Sequence, residues 1–236
     1  MTTALTYSTG LPLHVAGDED ASRAIIVIQE AFGVNEHILS VVDFFAGQGY
    51  YAVSPELFHR DGSPVVAYDD FPAAMGALGN LTRDGITTDL TDTAAFLTDK
   101  GFEASQVAIV GYCMGGTVAT YAGTLGIVAA TASFYGGGVL NGRFGLDPVA
   151  DMVRSLTTPW IGLYGELDKG IPAEHIDALR AAMSESSIAD RSELNYYPDA
   201  DHGFNCNDRT AVYNEAVAQQ ATAATVAFFD RYVSSR

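Results

Sequence analysis

Lysine is almost missing from this chain: of 236 residues only Lys100 and Lys169 are lysines. With 12 basic residues against 29 acidic ones the formal charge is −17. A surface of that sign repels nucleic acid and anionic membrane, so neither is an expected partner. Cysteine is equally scarce, at Cys113 and Cys206. Two cysteines in a chain of this length exclude a disulfide framework and fit free thiols in a reducing compartment. No apolar run approaches the roughly 20 residues that span a bilayer. The opening, "MTTALTYSTG", has neither a basic segment nor an apolar one, so no secretion signal is expected and a cytoplasmic location is. Repeats, low-complexity tracts and linkers are also absent, and a single domain over residues 1–236 is the expectation.

Apolar residues, by contrast, make up 48% of the chain, which excludes a disordered protein. Their pattern alternates between two kinds of segment. "ALTYST" and "LPLHVAG" flank Gly10 as a hairpin. "RAIIVIQEAFG", "YYAVSPELF", "QVAIVGYC", "VAATASFYGGG" and "TTPWIGLYGELD" are short apolar runs ending in turns, as strands buried on both faces read. Between them lie helical patterns. One starts at an Asn35 cap and stops at Gly49, a short one covers about 69–79, and another stops at Gly101. A further helix follows Cys113, one has Pro172 in its first turn, and the last runs from about Thr210 to Val233. Strand alternating with helix predicts an α/β fold, a mainly parallel sheet with helices on both faces. Ligands in such sheets bind at the carboxyl ends of the strands.

Four of those ends carry chemistry. "GYCMG" places Cys113 between a strand and a helix in the form G-x-nucleophile-x-G, the nucleophile elbow of α/β-hydrolases with cysteine in place of serine. The turn needs small residues two before and two after the nucleophile, and it leaves the Met114 amide free as an oxyanion donor. "YGELDKGIP" offers Glu166 and Asp168. Asp168 is preferred, because it lies deeper in the turn before the Pro172 helix. "DADHGF" brings His202, in a loop after the last strand and later in the chain than the acid loop, whereas His175 lies early in a helix. The order Cys113, Asp168, His202 is nucleophile, acid, base. "VIQEAFG" ends a buried strand with Glu30, a carboxylate that is costly there unless paired. A second oxyanion donor belongs to this region, with the Ala31 or Phe32 amide as candidates. Glu30 would point toward the thiol. A nearby carboxylate disfavours thiolate, which predicts a largely protonated resting Cys113. Further candidates for contact with substrate are Phe32, Tyr112 and Phe204, with Arg60, Arg83 and Arg209 as possible cations.

With these ends in view, the chain resembles the dienelactone hydrolase family. "QEAFG" followed by "NEHI", then "PELFHR", "VGYCMGG", "YGELDKGIP" and "HGFNC", carry the likeness in that order along nearly the whole length. The resemblance implies an α/β-hydrolase fold and a Cys113–His202–Asp168 triad. It also implies that Glu30 holds the resting thiol and takes its proton when substrate arrives. The implied activity is hydrolysis of cyclic enol esters (lactones), with no metal and no organic cofactor. The implied partner is a small-molecule lactone or ester, and the chain is expected to be a monomer or small homo-oligomer. One departure stands out. Related enzymes hold a substrate carboxylate with arginines, one of them four residues after the catalytic histidine, and that position here is Cys206. Three rivals remain open on the residues alone. They are a zinc site built from Cys113, His202, Cys206 and Asp168, a redox pair of Cys113 and Cys206, and a non-catalytic binding protein on a hydrolase scaffold. A general carboxylesterase acting on neutral esters is the alternative within catalysis.

Overall fold

The computed structural model describes residues 1–236. Eight strands form one sheet: β1 (Thr3–Thr6), β2 (Pro12–Ala16), β3 (Arg23–Ile28), β4 (Tyr50–Pro55), β5 (Val107–Tyr112), β6 (Ala130–Phe134), β7 (Trp160–Gly165) and β8 (Ser192–Tyr197). Their order across the sheet is β1-β2-β4-β3-β5-β6-β7-β8. The β1–β2 and β2–β4 pairs are antiparallel, and every later pair is parallel. All strands from β3 to β8 therefore present their carboxyl ends on one edge of the molecule.

The reason is legible in the strands. In β3 all residues but Arg23 are fully buried, and in β5 all six are buried. Such strands cannot face water, so both faces of the sheet must be covered. Seven helices do this: α1 (Glu36–Gly47), α2 (Phe71–Gly79), α3 (Arg83–Asp99), α4 (Met114–Thr124), α5 (Val149–Ser155), α6 (Ala173–Glu185) and α7 (Glu215–Tyr232). Helices α1 and α7 meet on one face, where Phe45 and Phe229 approach at 6.5 Å. Neighbouring contacts chain α3, α4, α5 and α6 along the other. Side-chain caps start several helices. Asn35 accepts from the Ile38 amide and Thr82 from the Gly85 amide, satisfying donors that a helix leaves without partners. No helix is long and apolar enough to cross a membrane.

Two local expectations need correction. The last helix begins at Glu215 and not near Thr210, because Asn214 caps it by accepting from the Val217 amide. The residues before it form tight turns, with both Val212 and Tyr213 donating to the Arg209 carbonyl. Helix α5 was not anticipated at all. It has seven residues, too few to show a helical period, and follows a glycine-rich loop that ends at Pro148.

Candidate active site

Strand β5 ends at Tyr112 and α4 starts at Met114, so the whole strand-to-helix reversal falls on Cys113. Its backbone sits at φ 56°, ψ −119°, a region costing a non-glycine residue on the order of 1–3 kcal/mol. The flanking glycines explain why the turn is possible. A Cβ on Gly111 would lie 1.9 Å from the Gly115 carbonyl oxygen. One on Gly115 would lie 2.5 Å from the Gln29 oxygen and 2.6 Å from the Ile28 oxygen. The elbow thus packs its backbone directly on the end of β3. Met114 is the first helical residue, so its amide has no intrahelical acceptor. The Ala31 and Phe32 amides, just past the end of β3, donate to no backbone carbonyl.

His202 reaches the elbow from the connection after β8, with Nε2 3.1 Å from Cys113 Sγ. Its Nδ1 lies 2.7 Å from Asp168 Oδ2. Asp168 is buried in the turn after β7, and its Oδ1 accepts the Gly170 amide at 2.8 Å. That second bond fixes the carboxylate before the imidazole meets it. Burial opposes a charge on His202, but the sulfur of Cys113 and the Asp168 carboxylate outweigh it and hold the imidazolium well above the ordinary histidine range. A cavity of about 80 Å³ opens over Cys113 and His202, lined also by Met114, Thr117, Ile171 and Arg143.

Glu30 is fully buried. Its Oε1 accepts the Tyr135 hydroxyl at 3.2 Å, while Oε2 has no hydrogen-bond partner. The expectation that Glu30 holds the thiol is not met in this conformation, since the sulfur is on His202. No motif in the sequence marks Tyr135. It occupies a strained φ of 41° after β6, and its ring lies 5.1 Å from that of His202. Burial, and then the Glu30 charge, push its hydroxyl far above the usual tyrosine range.

Several other candidates prove to be elsewhere. Phe204 is fully buried among Phe134, Tyr135 and Tyr197, so it supports the His202 loop from beneath and offers no surface to substrate. Tyr112 packs on Phe134 at 4.7 Å and faces a separate cavity beside His37 and Asn207. Arg60 is engaged by Asp89, both nitrogens at 2.8 Å, and Arg83 by Asp147 at 2.9 Å and the Gly145 carbonyl. Neither guanidinium lines the cavity. Phe32 is nearly buried beneath Tyr68 and Phe71, and the Arg209 guanidinium lies 5.6 Å over its ring. Cys206 is buried with its thiol on the Tyr68 hydroxyl at 3.2 Å, and burial raises that thiol to about 11. Arg143, absent from the sequence candidates, lines the cavity. It sits in a glycine-rich stretch with no local motif around it.

A parallel sheet carrying a strained nucleophile at a strand-to-helix elbow, with an acid and a histidine on later carboxyl ends, defines an α/β-hydrolase. Comparison with known proteins narrows the class. The sequence profile of the dienelactone hydrolase family matches residues 12–233. A Salmonella typhimurium protein named "Putative carboxymethylenebutenolidase" is 33% identical over 220 residues, covering 91% of this chain and 79% of that one. The carboxymethylenebutenolidase of Pseudomonas sp. strain P51 is 28% identical over 186 residues, covering 76% and 73%. A Klebsiella pneumoniae crystal structure described as a "Putative Dienelactone Hydrolase" superposes with a TM-score of 0.86 at 30% identity, covering 98% and 99%. The chain belongs to the dienelactone hydrolase family and is a hydrolase.

Proposed function

We propose that this protein hydrolyses small lactones and esters through a thioester formed at Cys113. The observation that carries the reading is the hydrogen-bonded line Cys113–His202–Asp168, at 3.1 and 2.7 Å, on a strained elbow. Cys113 Sγ attacks the carbonyl carbon as the thiolate of a Cys113–His202 ion pair, its proton already on His202 Nε2. The Met114 and Ala31 amides stabilise the oxyanion, typically the largest single electrostatic contribution in such reactions. As the tetrahedral intermediate collapses, the C–O bond breaks and His202 gives its proton to the departing enolate or alkoxide. Water then attacks the thioester. His202 takes a proton from that water, and collapse expels the Cys113 thiolate, releasing the acid. Asp168 holds the imidazole in the required tautomer throughout. The resemblance assigns Glu30 the thiol proton whenever the sulfur is not on His202. Its unpartnered Oε2 supports a free acceptor at that place.

The cavity over Cys113 and His202 is small, about 80 Å³, which favours a small acyl group. Cyclic enol esters are the substrates that the name carboxymethylenebutenolidase implies for the relatives. Hydrolysis of an activated aryl ester by wild type and by Cys113→Ala and His202→Ala tests the reading. Loss of the base is expected to cost about 10² to 10⁴ in rate, and loss of the nucleophile at least as much. A Cys113→Ala protein with near wild-type turnover would sink it.

A further inference from the structure

Most of the basic side chains are spoken for. Of the 12, eight form an ion pair with a carboxylate. Arg236 is held by backbone carbonyls. Only Arg143, Lys169 and Arg209 have neither an ion pair nor a side-chain hydrogen bond. In a chain with 29 acidic residues, an unpaired cation is the exception. All three lie on connections leaving the carboxyl ends of parallel strands: Arg143 after β6, Lys169 after β7 and Arg209 after β8.

Arg143 is the one that borders the cavity over Cys113 and His202. Its other side borders an apolar cleft with Met75, Leu78, Leu81 and Phe144. No aspartate or glutamate lines either space. The loop that carries Arg143 is anchored and not loose. Gly142 and Val149 both donate to the Gly138 carbonyl, Leu146 donates to the Arg143 carbonyl, and Arg83 binds both Gly145 and Asp147. An exposed guanidinium on an anchored loop beside a nucleophile, with no internal counter-ion, is complementary to an anion that arrives with the substrate.

We propose that Arg143 is the specificity-determining residue of this site, binding an anionic oxygen group, a carboxylate in the simplest case, carried by the substrate close to its scissile carbonyl. The proposal rests on the reading of Cys113 as the reacting group. Its test therefore includes an arm that needs no turnover. Iodoacetate and iodoacetamide alkylate the same sulfur and differ in charge, so the ratio of their rates at Cys113, followed by peptide mass spectrometry, reports the anion site directly. Arg143→Gln should lower the iodoacetate-to-iodoacetamide ratio about tenfold or more, the loss expected for one charge-assisted contact. Arg143→Lys should keep part of it. Arg154→Gln removes the same charge from the exposed face of α5 and should leave the ratio unchanged. The second arm compares kcat/KM for mono-p-nitrophenyl succinate with that for p-nitrophenyl butyrate, of similar size and without the carboxylate. The succinate-to-butyrate ratio should fall in Arg143→Gln in parallel with the alkylation ratio. If Arg143→Gln leaves both ratios within twofold of wild type, the assignment of Arg143 is overturned while the hydrolase reading stands. If neither ester is cleaved, the proposed reaction fails, and the alkylation ratio still decides the anion site.

Discussion

Replacing Gly115 by alanine adds one methyl group at the tightest point between the elbow and β3. The new Cβ would stand 2.5 Å from the Gln29 oxygen and 2.6 Å from the Ile28 oxygen, whereas ordinary contact starts at 3.4 Å. Both obstacles are backbone, so no rotamer relieves them, and the elbow must part from β3 by about 0.9 Å. That movement separates the Met114 amide from Ala31, the two proposed oxyanion donors, and carries Cys113 with it. A displacement near 1 Å can cost on the order of 10² in rate. Overpacking of this kind costs about 1–3 kcal/mol, which in a protein of this size lowers Tm by roughly 2–12 °C. Aryl-ester kcat/KM together with a thermal melt by circular dichroism measures both effects. Gly76→Ala is the matched control. It sits inside α2 with open space at its Cβ, and alanine there should stabilise by about 0.5–1 kcal/mol. Wild-type activity and melting in Gly115→Ala would refute the picture of an elbow wedged against β3.

Two further outcomes follow from the titrating groups. His202 is held above its ordinary value, so its charged form stabilises the fold fully below about pH 6.5, and that contribution is lost as pH rises through the raised value. Asp168→Asn should lower the His202 titration point seen by NMR, and its stability deficit in urea should narrow as pH rises; an unmoved titration point would contradict the pairing. Cys206 is buried, with its thiol raised to about 11. Iodoacetamide at pH 8 should therefore modify Cys113 alone in the native protein and both cysteines in guanidinium. Fast native alkylation of Cys206 would show that its contact with Tyr68 is open.

The parallel sheet was legible because a strand buried on both faces, such as β3 or β5, must be written in consecutive apolar residues. The elbow was legible because a reversal at one residue demands glycine at Gly111 and Gly115, whatever surrounds it. What could not be read depends on partners distant in the chain. Nothing near Arg60 signals that Asp89 captures it, and only that pairing removes Arg60 from consideration. Phe204 and Tyr112 flank chemically active residues, yet their side chains turn into the core. The converse holds for Tyr135 and Arg143. Their sequence surroundings are glycine-rich and uninformative, and the fold alone brings them to Glu30 and to the cavity.

The central claim, a thioester on Cys113, is tested most directly by trapping it. The protein would be mixed with p-nitrophenyl acetate for less than one turnover, quenched in acid, digested and weighed. Acetyl mass on the peptide containing Cys113, and no adduct on Cys206, is the predicted result. An unmodified Cys113 peptide in samples that have released a stoichiometric burst of p-nitrophenol would contradict it.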